Sequence, residues 1–149
     1  MKKRILALVA FLVVSVSAGA QILNPVKWSY AAKRIGKDEA MVLVKATIEP
    51  GWHLYSQTIA DGGPVKTTFS FNTSPAYSLI GKTIEPKPVV KFEKVFDMKV
   101  AYFENSVIFQ QKVKLKAKQA TVKGNVEFMV CNDEKCLPPD TMDFSVAVK

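Results

Sequence analysis

The run Val122-Lys123-Gly124-Asn125-Val126-Glu127-Phe128-Met129-Val130-Cys131 decides the fold class. Val122, Val126, Phe128 and Val130 recur at even spacing against Lys123, Asn125, Glu127 and Met129, so one side of an extended chain is apolar and the other mostly polar. Side chains of a strand point alternately to opposite faces, and this pattern therefore reads as a half-buried strand. The same rhythm recurs along the chain. Val42, Val44, Ala46 and Ile48 alternate with Leu43, Lys45, Thr47 and Glu49, and Val26, Trp28 and Tyr30 with Lys27 and Ser29. Thr67, Phe69 and Phe71 make a shorter set, Val113, Leu115 and Ala117 oppose lysines, and Phe144, Val146 and Val148 close the chain. No long stretch carries a helical 3.6-residue period.

Turn-forming clusters divide these runs: Gly36-Lys37-Asp38, Glu49-Pro50-Gly51, Asp61-Gly62-Gly63-Pro64, Ser74-Pro75, Lys123-Gly124-Asn125 and Pro138-Pro139-Asp140. Short alternating strands punctuated in this way predict an all-β, antiparallel two-sheet sandwich. Residues 80–95, rich in Pro and Lys, carry no such rhythm and are expected to form a long irregular loop, a kind of segment that is often functional. Lys112, Lys114, Lys116 and Lys118 line one face of a strand and read as a solvated row protecting a sheet edge. Without aromatic or Arg interleaving they do not make a nucleic-acid surface, and no nucleic-acid partner is expected.

The chain of 149 residues begins with Lys2, Lys3 and Arg4, then an apolar run from Ile5 to Val14, then Ala18-Gly19-Ala20. That is the layout of a secretory signal, so residues 1–20 are expected to be removed and residues 21–149 to form one exported domain starting at Gln21. Loss of the three leader cations lowers the formal charge of +8 by three. No second apolar run is long enough to span a bilayer. A periplasmic, monomeric protein with no lasting membrane insertion is expected.

Cys131 and Cys136 are the only cysteines, and Asn132-Asp133-Glu134-Lys135 between them is rich in turn formers. A hairpin-like loop there brings the sulfurs within bonding range, and Pro138-Pro139 stiffens the exit. The chain-entropy model gives about 2 kcal/mol for so small a ring, little for a domain with this much apolar sequence. Three readings stay open at this point. The pair is a reversible dithiol, since a strained short ring exchanges readily. It is a structural staple in a binding module. Or it holds Cu(I) together with Met129 or Met142; zinc, which wants four ligands, is one short even with His53, the single histidine. Lys135 favours a Cys136 thiolate, while Asp133 and Glu134 oppose it.

Three further segments occur in order: Glu49-Pro50-Gly51-Trp52-His53-Leu54-Tyr55-Ser56-Gln57, then Lys91-Phe92-Glu93-Lys94-Val95-Phe96-Asp97-Met98-Lys99-Val100-Ala101-Tyr102-Phe103, then Phe128-Met129-Val130-Cys131 through Cys136-Leu137-Pro138-Pro139. Together they resemble the N-terminal periplasmic domain of the thiol:disulfide interchange protein DsbD, especially its stand-alone bacterial relatives, over nearly the whole mature chain. The resemblance implies an immunoglobulin-like β-sandwich with Cys131 and Cys136 as the redox-active pair on a hairpin. It implies that Cys136 attacks and carries the mixed disulfide, and that Cys131 resolves it. A cap loop is implied at Glu93-Lys94-Val95-Phe96, with Phe96 the candidate lid and Val95 its neighbour. Its activity would be protein-disulfide exchange without metal or organic cofactor. Its partners would be thioredoxin-like redox proteins and a membrane electron-transfer protein, in routes such as cytochrome c biogenesis.

This chain departs from the family pattern in three ways. Four residues separate the cysteines where the family has five, the cap loop keeps one acidic residue, Glu93, of two, and a tyrosine pair becomes His53 and Tyr55. His53 is a candidate proton donor or acceptor and Tyr55 a site-supporting hydroxyl; both also suit plain strand packing, to which Trp52 is assigned.

Overall fold

The computed structural model describes residues 23–149, so the expected signal segment lies outside the described residues. Eleven strands follow one another: β1 (Val26–Arg34), β2 (Glu39–Ile48), β3 (His53–Tyr55), β4 (Thr68–Phe71), β5 (Tyr77–Ile84), β6 (Val89–Glu93), β7 (Met98–Phe103), β8 (Ser106–Leu115), β9 (Ala120–Phe128), β10 (Val130–Cys131) and β11 (Asp140–Val148). All pairings are antiparallel. One layer is the sheet β1-β2-β8-β5. The facing layer is built from two sheets, β11-β9-β4 and β10-β3-β7-β6, which the chain joins where β9 runs into β10 with only Met129 between them. Among the described residues no helix is long and apolar enough to cross a membrane.

The alternation read from the sequence is what glues the layers. Val42, Val44, Val113 and Leu115 from the first layer meet Val122, Phe144, Val146 and Val148 from β9 and β11 in one buried cluster. Toward the other end, Ala46, Ile48, Val107 and Phe109 meet Leu54, Phe103, Val126, Phe128 and Val130. Trp52 packs in this second cluster, as assigned. Phe109 is its centre, fully buried, with Phe69 at 5.0 Å and Phe103 edge-on at 5.8 Å. Gln111 is a buried polar residue on β8: its Oε1 accepts from Thr83 Oγ1 (2.9 Å), and its Nε2 donates to the carbonyls of Ile80 (3.2 Å) and Lys112 (2.9 Å).

Two expectations need correction. Residues 80–95 are not an irregular loop: they hold the end of β5 and all of β6. A register shift between Ile80 and Ile84, with Gly81 at φ 69°, interrupts the β5 ladder. In β6, Val89, Val90, Lys91 and Phe92 are all exposed, so no in–out alternation marks it as a strand. The lysine row does not guard an edge either. β8 lies between β2 and β5, and its lysines face outward on a central strand, where Lys112 Nζ meets Glu39 at 2.7 Å and Lys114 reaches Asp38 at 4.0 Å. Lys116 and Lys118 lie beyond the end of β8, and Ala117 is exposed.

At Gly124, β9 passes so close to its neighbours that a Cβ would meet the Ser70 carbonyl of β4 and come within 2.7 Å of Phe144 Cζ of β11. Backbone cannot yield to a methyl group as a flexible side chain does. Gly124→Ala is therefore expected to destabilise the domain by about 1–3 kcal/mol, the range for overpacking, read as a lower midpoint in urea denaturation at an unchanged slope.

Candidate functional site

The site is built on the sheet β10-β3-β7-β6, and it rests on an unusual use of strand alternation. Leu54, Phe103 and Val130 point into the main core. Their chain neighbours Tyr55, Tyr102 and Cys131 must then point to the other face, which in a sandwich normally meets water. Here that face is buried too. Tyr55, Val100, Tyr102 and Cys131 form a second, smaller apolar cluster, with Ile59, Phe96, Met98, Met129 and Cys136 packed around it.

The cysteine hairpin grows from the margin of this sheet. Val130 pairs with Leu54 and Cys131 with His53. Cys131 and Cys136 face each other across an antiparallel bridge, their Cα atoms 4.0 Å apart and their sulfurs joined in a disulfide. The turn is held by Asn132, whose Oδ1 accepts hydrogen bonds from the amides of Glu134 (2.9 Å) and Lys135 (2.8 Å), while its own amide donates to the Lys135 carbonyl (2.9 Å). This is the turn chemistry for which Asn is suited. Leu137 donates its amide to Val130 (2.9 Å), fixing the return path before Pro138. The two sulfurs are not equivalent: Cys131 is 2% exposed, whereas Cys136 is half-buried at the surface.

The segment singled out as a cap, Glu93-Lys94-Val95-Phe96, takes in the last residue of β6 and most of the four-residue turn 94–97 that leads to β7. Amides of Phe96 and Asp97 donate to the carbonyls of Glu93 (3.2 Å) and Lys94 (3.3 Å). Asp97 takes the left-handed conformation, φ 51°. Phe96 folds back onto the site cluster, its ring edge-on to Tyr55 at 6.1 Å between centroids. Val95 points away and is 80% exposed. Tyr55 donates its hydroxyl to Glu93 Oε2 (2.9 Å), and the second carboxylate oxygen, Oε1, is buried without a partner. Burial first, then the hydrogen bond to Glu93, pushes the Tyr55 phenol far above its usual range, so it stays protonated and donating at any physiological pH.

His53, the other residue of the altered tyrosine pair, lies with its ring 4.6 Å from that of Tyr102. Its Nδ1 is buried, 3.8 Å from Glu104 Oε1 and without a hydrogen bond. Lys91 Nζ stands 5.8 Å over the Tyr102 ring; contact with Tyr102, then the charges of Glu104 and Asp133, favour its protonated form.

All seven residues drawn from the sequence lie on or beside this sheet, and Val95 alone faces away from the cluster. Sequence reasoning passed over Tyr102, Glu104, Met98 and Ile59. A signal for one of them, Tyr102, was present. Val100-Ala101-Tyr102-Phe103 is a continuous apolar run, the mark of a strand covered on both faces. Ile59 comes from a loop whose packing is non-local: Glu85 accepts hydrogen bonds from the Ser56 hydroxyl and from the Gln57 amide (3.0 Å), and Thr67 Oγ1 donates to the Tyr55 carbonyl (2.5 Å). Of the methionines considered for soft-metal binding, Met129 adjoins the site cluster, whereas Met142 packs against the main core. Among the described residues no group of three or more His, Cys, Asp or Glu is placed to hold a metal.

Comparison with solved structures gives the same architecture. The reduced N-terminal domain of DsbD from Neisseria meningitidis superposes with a TM-score of 0.59 at 16% identity, over 85% of this chain and 90% of that one. The N-terminal periplasmic domain of ScsB from Proteus mirabilis gives 0.53 at 17%, over 83% of this chain and 44% of that one. A complex between the DsbD and PilB N-terminal domains, also from Neisseria meningitidis, gives 0.57 at 17%, over 84% and 87%. At such identities the likeness establishes the immunoglobulin-like β-sandwich and nothing finer. A comparison with curated protein sequences found no match. The family model described as "Thiol:disulfide interchange protein DsbD, N-terminal" matches residues 20–147, most of the chain and all of the site, and the protein belongs to that family.

Proposed function

We propose that this domain is an exported carrier of reducing equivalents, working by thiol–disulfide exchange through Cys131 and Cys136. In the reduced protein the Cys136 thiolate attacks a partner's disulfide. Cys131 then attacks Cys136, releases the reduced partner and restores the ring. The observation that carries this order is the unequal exposure of the two sulfurs. Exchange needs direct approach to a sulfur, and Cys136 is the more exposed residue of the pair. The partners are proteins with thioredoxin-like sites, and a membrane electron-transfer protein re-reduces the pair. That a related DsbD N-terminal domain has been solved in complex with a PilB domain supports a protein partner. The compartment is the periplasm, reached by way of the signal at residues 1–20.

Phe96 is the lid in this reading. Its ring lies on the cluster that holds both cysteines, and the Tyr55–Glu93 hydrogen bond ties the strand end from which the lid turn springs. A closed lid keeps small thiols from the ring, and a docking partner supplies contacts that displace it.

Three measurements test the proposal. With Cys131→Ala, mixed disulfides should accumulate on Cys136 when the protein meets oxidised thioredoxin-like domains, whereas Cys136→Ala should trap none; equal trapping by both variants would overturn the order of attack. Titrated against dithiothreitol or glutathione, the pair should show a potential above about −300 mV, the level below which structural disulfides usually lie, and the reduced domain should stay folded with a loss of no more than about 2 kcal/mol. Phe96→Ala should speed attack on the disulfide by dithiothreitol by roughly 2- to 10-fold, since aromatic pairs contribute about 0.5–1.5 kcal/mol beyond area burial. An unchanged rate removes Phe96 from the lid role.

A further inference from the structure

The register of β10, β3 and β7 lines up three reactive groups. Cys131 is the cross-strand partner of His53. On the other side of β3, Leu54 pairs with Phe103, so the next step of the ladder brings Glu104 opposite His53, and Glu104 Oε1 is indeed 3.8 Å from His53 Nδ1. Residues directly opposite in an antiparallel pair project to the same face, with Cβ atoms about 4.5–5.5 Å apart. Thiol, imidazole and carboxylate therefore share one face in the order Cys131, His53, Glu104.

We infer that His53 is the proton acceptor for Cys131 in the resolving step, with Glu104 as the positioning residue behind it. This rests on the exchange reading above and deepens it. The need for such a base follows from burial. Cys131 is 2% exposed among apolar neighbours, an environment that disfavours a thiolate, yet only a thiolate can attack the mixed disulfide on Cys136. The buried Nδ1 of His53 has no hydrogen-bond partner. A small movement of Glu104, whose side chain is 44% exposed, would close the 3.8 Å gap and hold the proton on Nδ1, leaving the Nε2 lone pair to accept one. Beside the imidazole lies Tyr102 of β7; Lys91 of β6 stands over the Tyr102 ring, and Asp133 at the hairpin tip acts through its charge on Lys91.

The step balances. First the Cys136 thiolate bonds to one partner sulfur and expels the other as a thiolate. Then the Cys131 S–H proton passes to His53, directly or through one water. The Cys131 sulfur bonds to Cys136 Sγ and the Cys136–partner bond breaks. The partner's second sulfur leaves as a thiolate and takes up a proton from the imidazolium or from solvent. Two electrons have moved from the dithiol to the partner disulfide.

The reduced protein mixed with 5,5′-dithiobis(2-nitrobenzoate) separates the two events. Release of the first nitrothiobenzoate reports attack by Cys136, and release of the second reports resolution by Cys131. In His53→Gln and in His53→Phe, two variants of different shape, the second phase should slow by about 100-fold near neutral pH, the low end of the span for general base catalysis. The first phase should change by no more than about 3-fold. The second phase should also lose its levelling-off with pH and rise steadily with hydroxide, as an unassisted thiol does, and Glu104→Gln should fall between wild type and the His53 variants. A wild-type second phase that both His53 substitutions leave unaltered in rate and pH profile overturns the role of His53 while the carrier reading stands. Release of only one nitrothiobenzoate per wild-type protein, so that the ring never closes, overturns the carrier reading itself.

Discussion

The whole site depends on a short sheet that is buried on both faces. Strand alternation allows β3, β7 and β10 only two directions for their side chains. Leu54, Phe103 and Val130 take one and anchor the strands to the main core. Tyr55, Tyr102 and Cys131 take the other, where a sandwich is usually wet. Burying that second face requires cover from outside the sheet, and it comes from Phe96 of the β6–β7 turn and Ile59 of the loop after β3, beside Met98 at the start of β7. The disulfide thus sits in a small apolar compartment whose floor is rigid strand and whose roof is loop. Strand placement of Cys131 and a covering borne by loops are both consequences of that one arrangement.

The polar chemistry follows from the same constraint. A tyrosine hydroxyl and a carboxylate on a buried outer face must find partners there, and Tyr55 and Glu93 find each other. That pairing is incomplete, because Glu93 Oε1 is left without a donor. Carboxylate oxygens seldom stay so in a permanently closed interior. In the lid role proposed for Phe96, opening would let that oxygen reach water.

Much of this was legible in the residues, and the failures have physical reasons. The strands glued to the main core declared themselves through Val42, Val44, Ala46 and Ile48, and again through Val122, Val126, Phe128 and Val130, because each shows one face to apolar neighbours and one to water. β6 shows nearly everything to water and so carried no rhythm. The lysines of β8 were identified as solvent-facing, but the pattern of one strand cannot reveal whether another strand lies beside it; β5 does. At the site, the cysteine spacing announced a hairpin, and the likeness of three separated segments to a known family pointed to Phe96, Tyr55 and Glu93. The cross-strand register that sets His53 opposite Cys131 is a property of the pairing between β3 and β10, and no local pattern contains it.

The join between β9 and β10 carries one more implication. β9 is locked between β4 and β11 through a nine-residue ladder on one side, whereas β10 is two residues long, paired to β3 on one side and to the return path at Cys136 on the other. Firm and loose backbone therefore adjoin within a single continuous stretch. Amide protons from Ala120 to Phe128 should resist deuterium for about as long as the domain stays globally folded, while those beyond Cys131 exchange through small local openings. The cysteine hairpin is thus a tethered tip, able to open locally without loosening the ladder from which it projects.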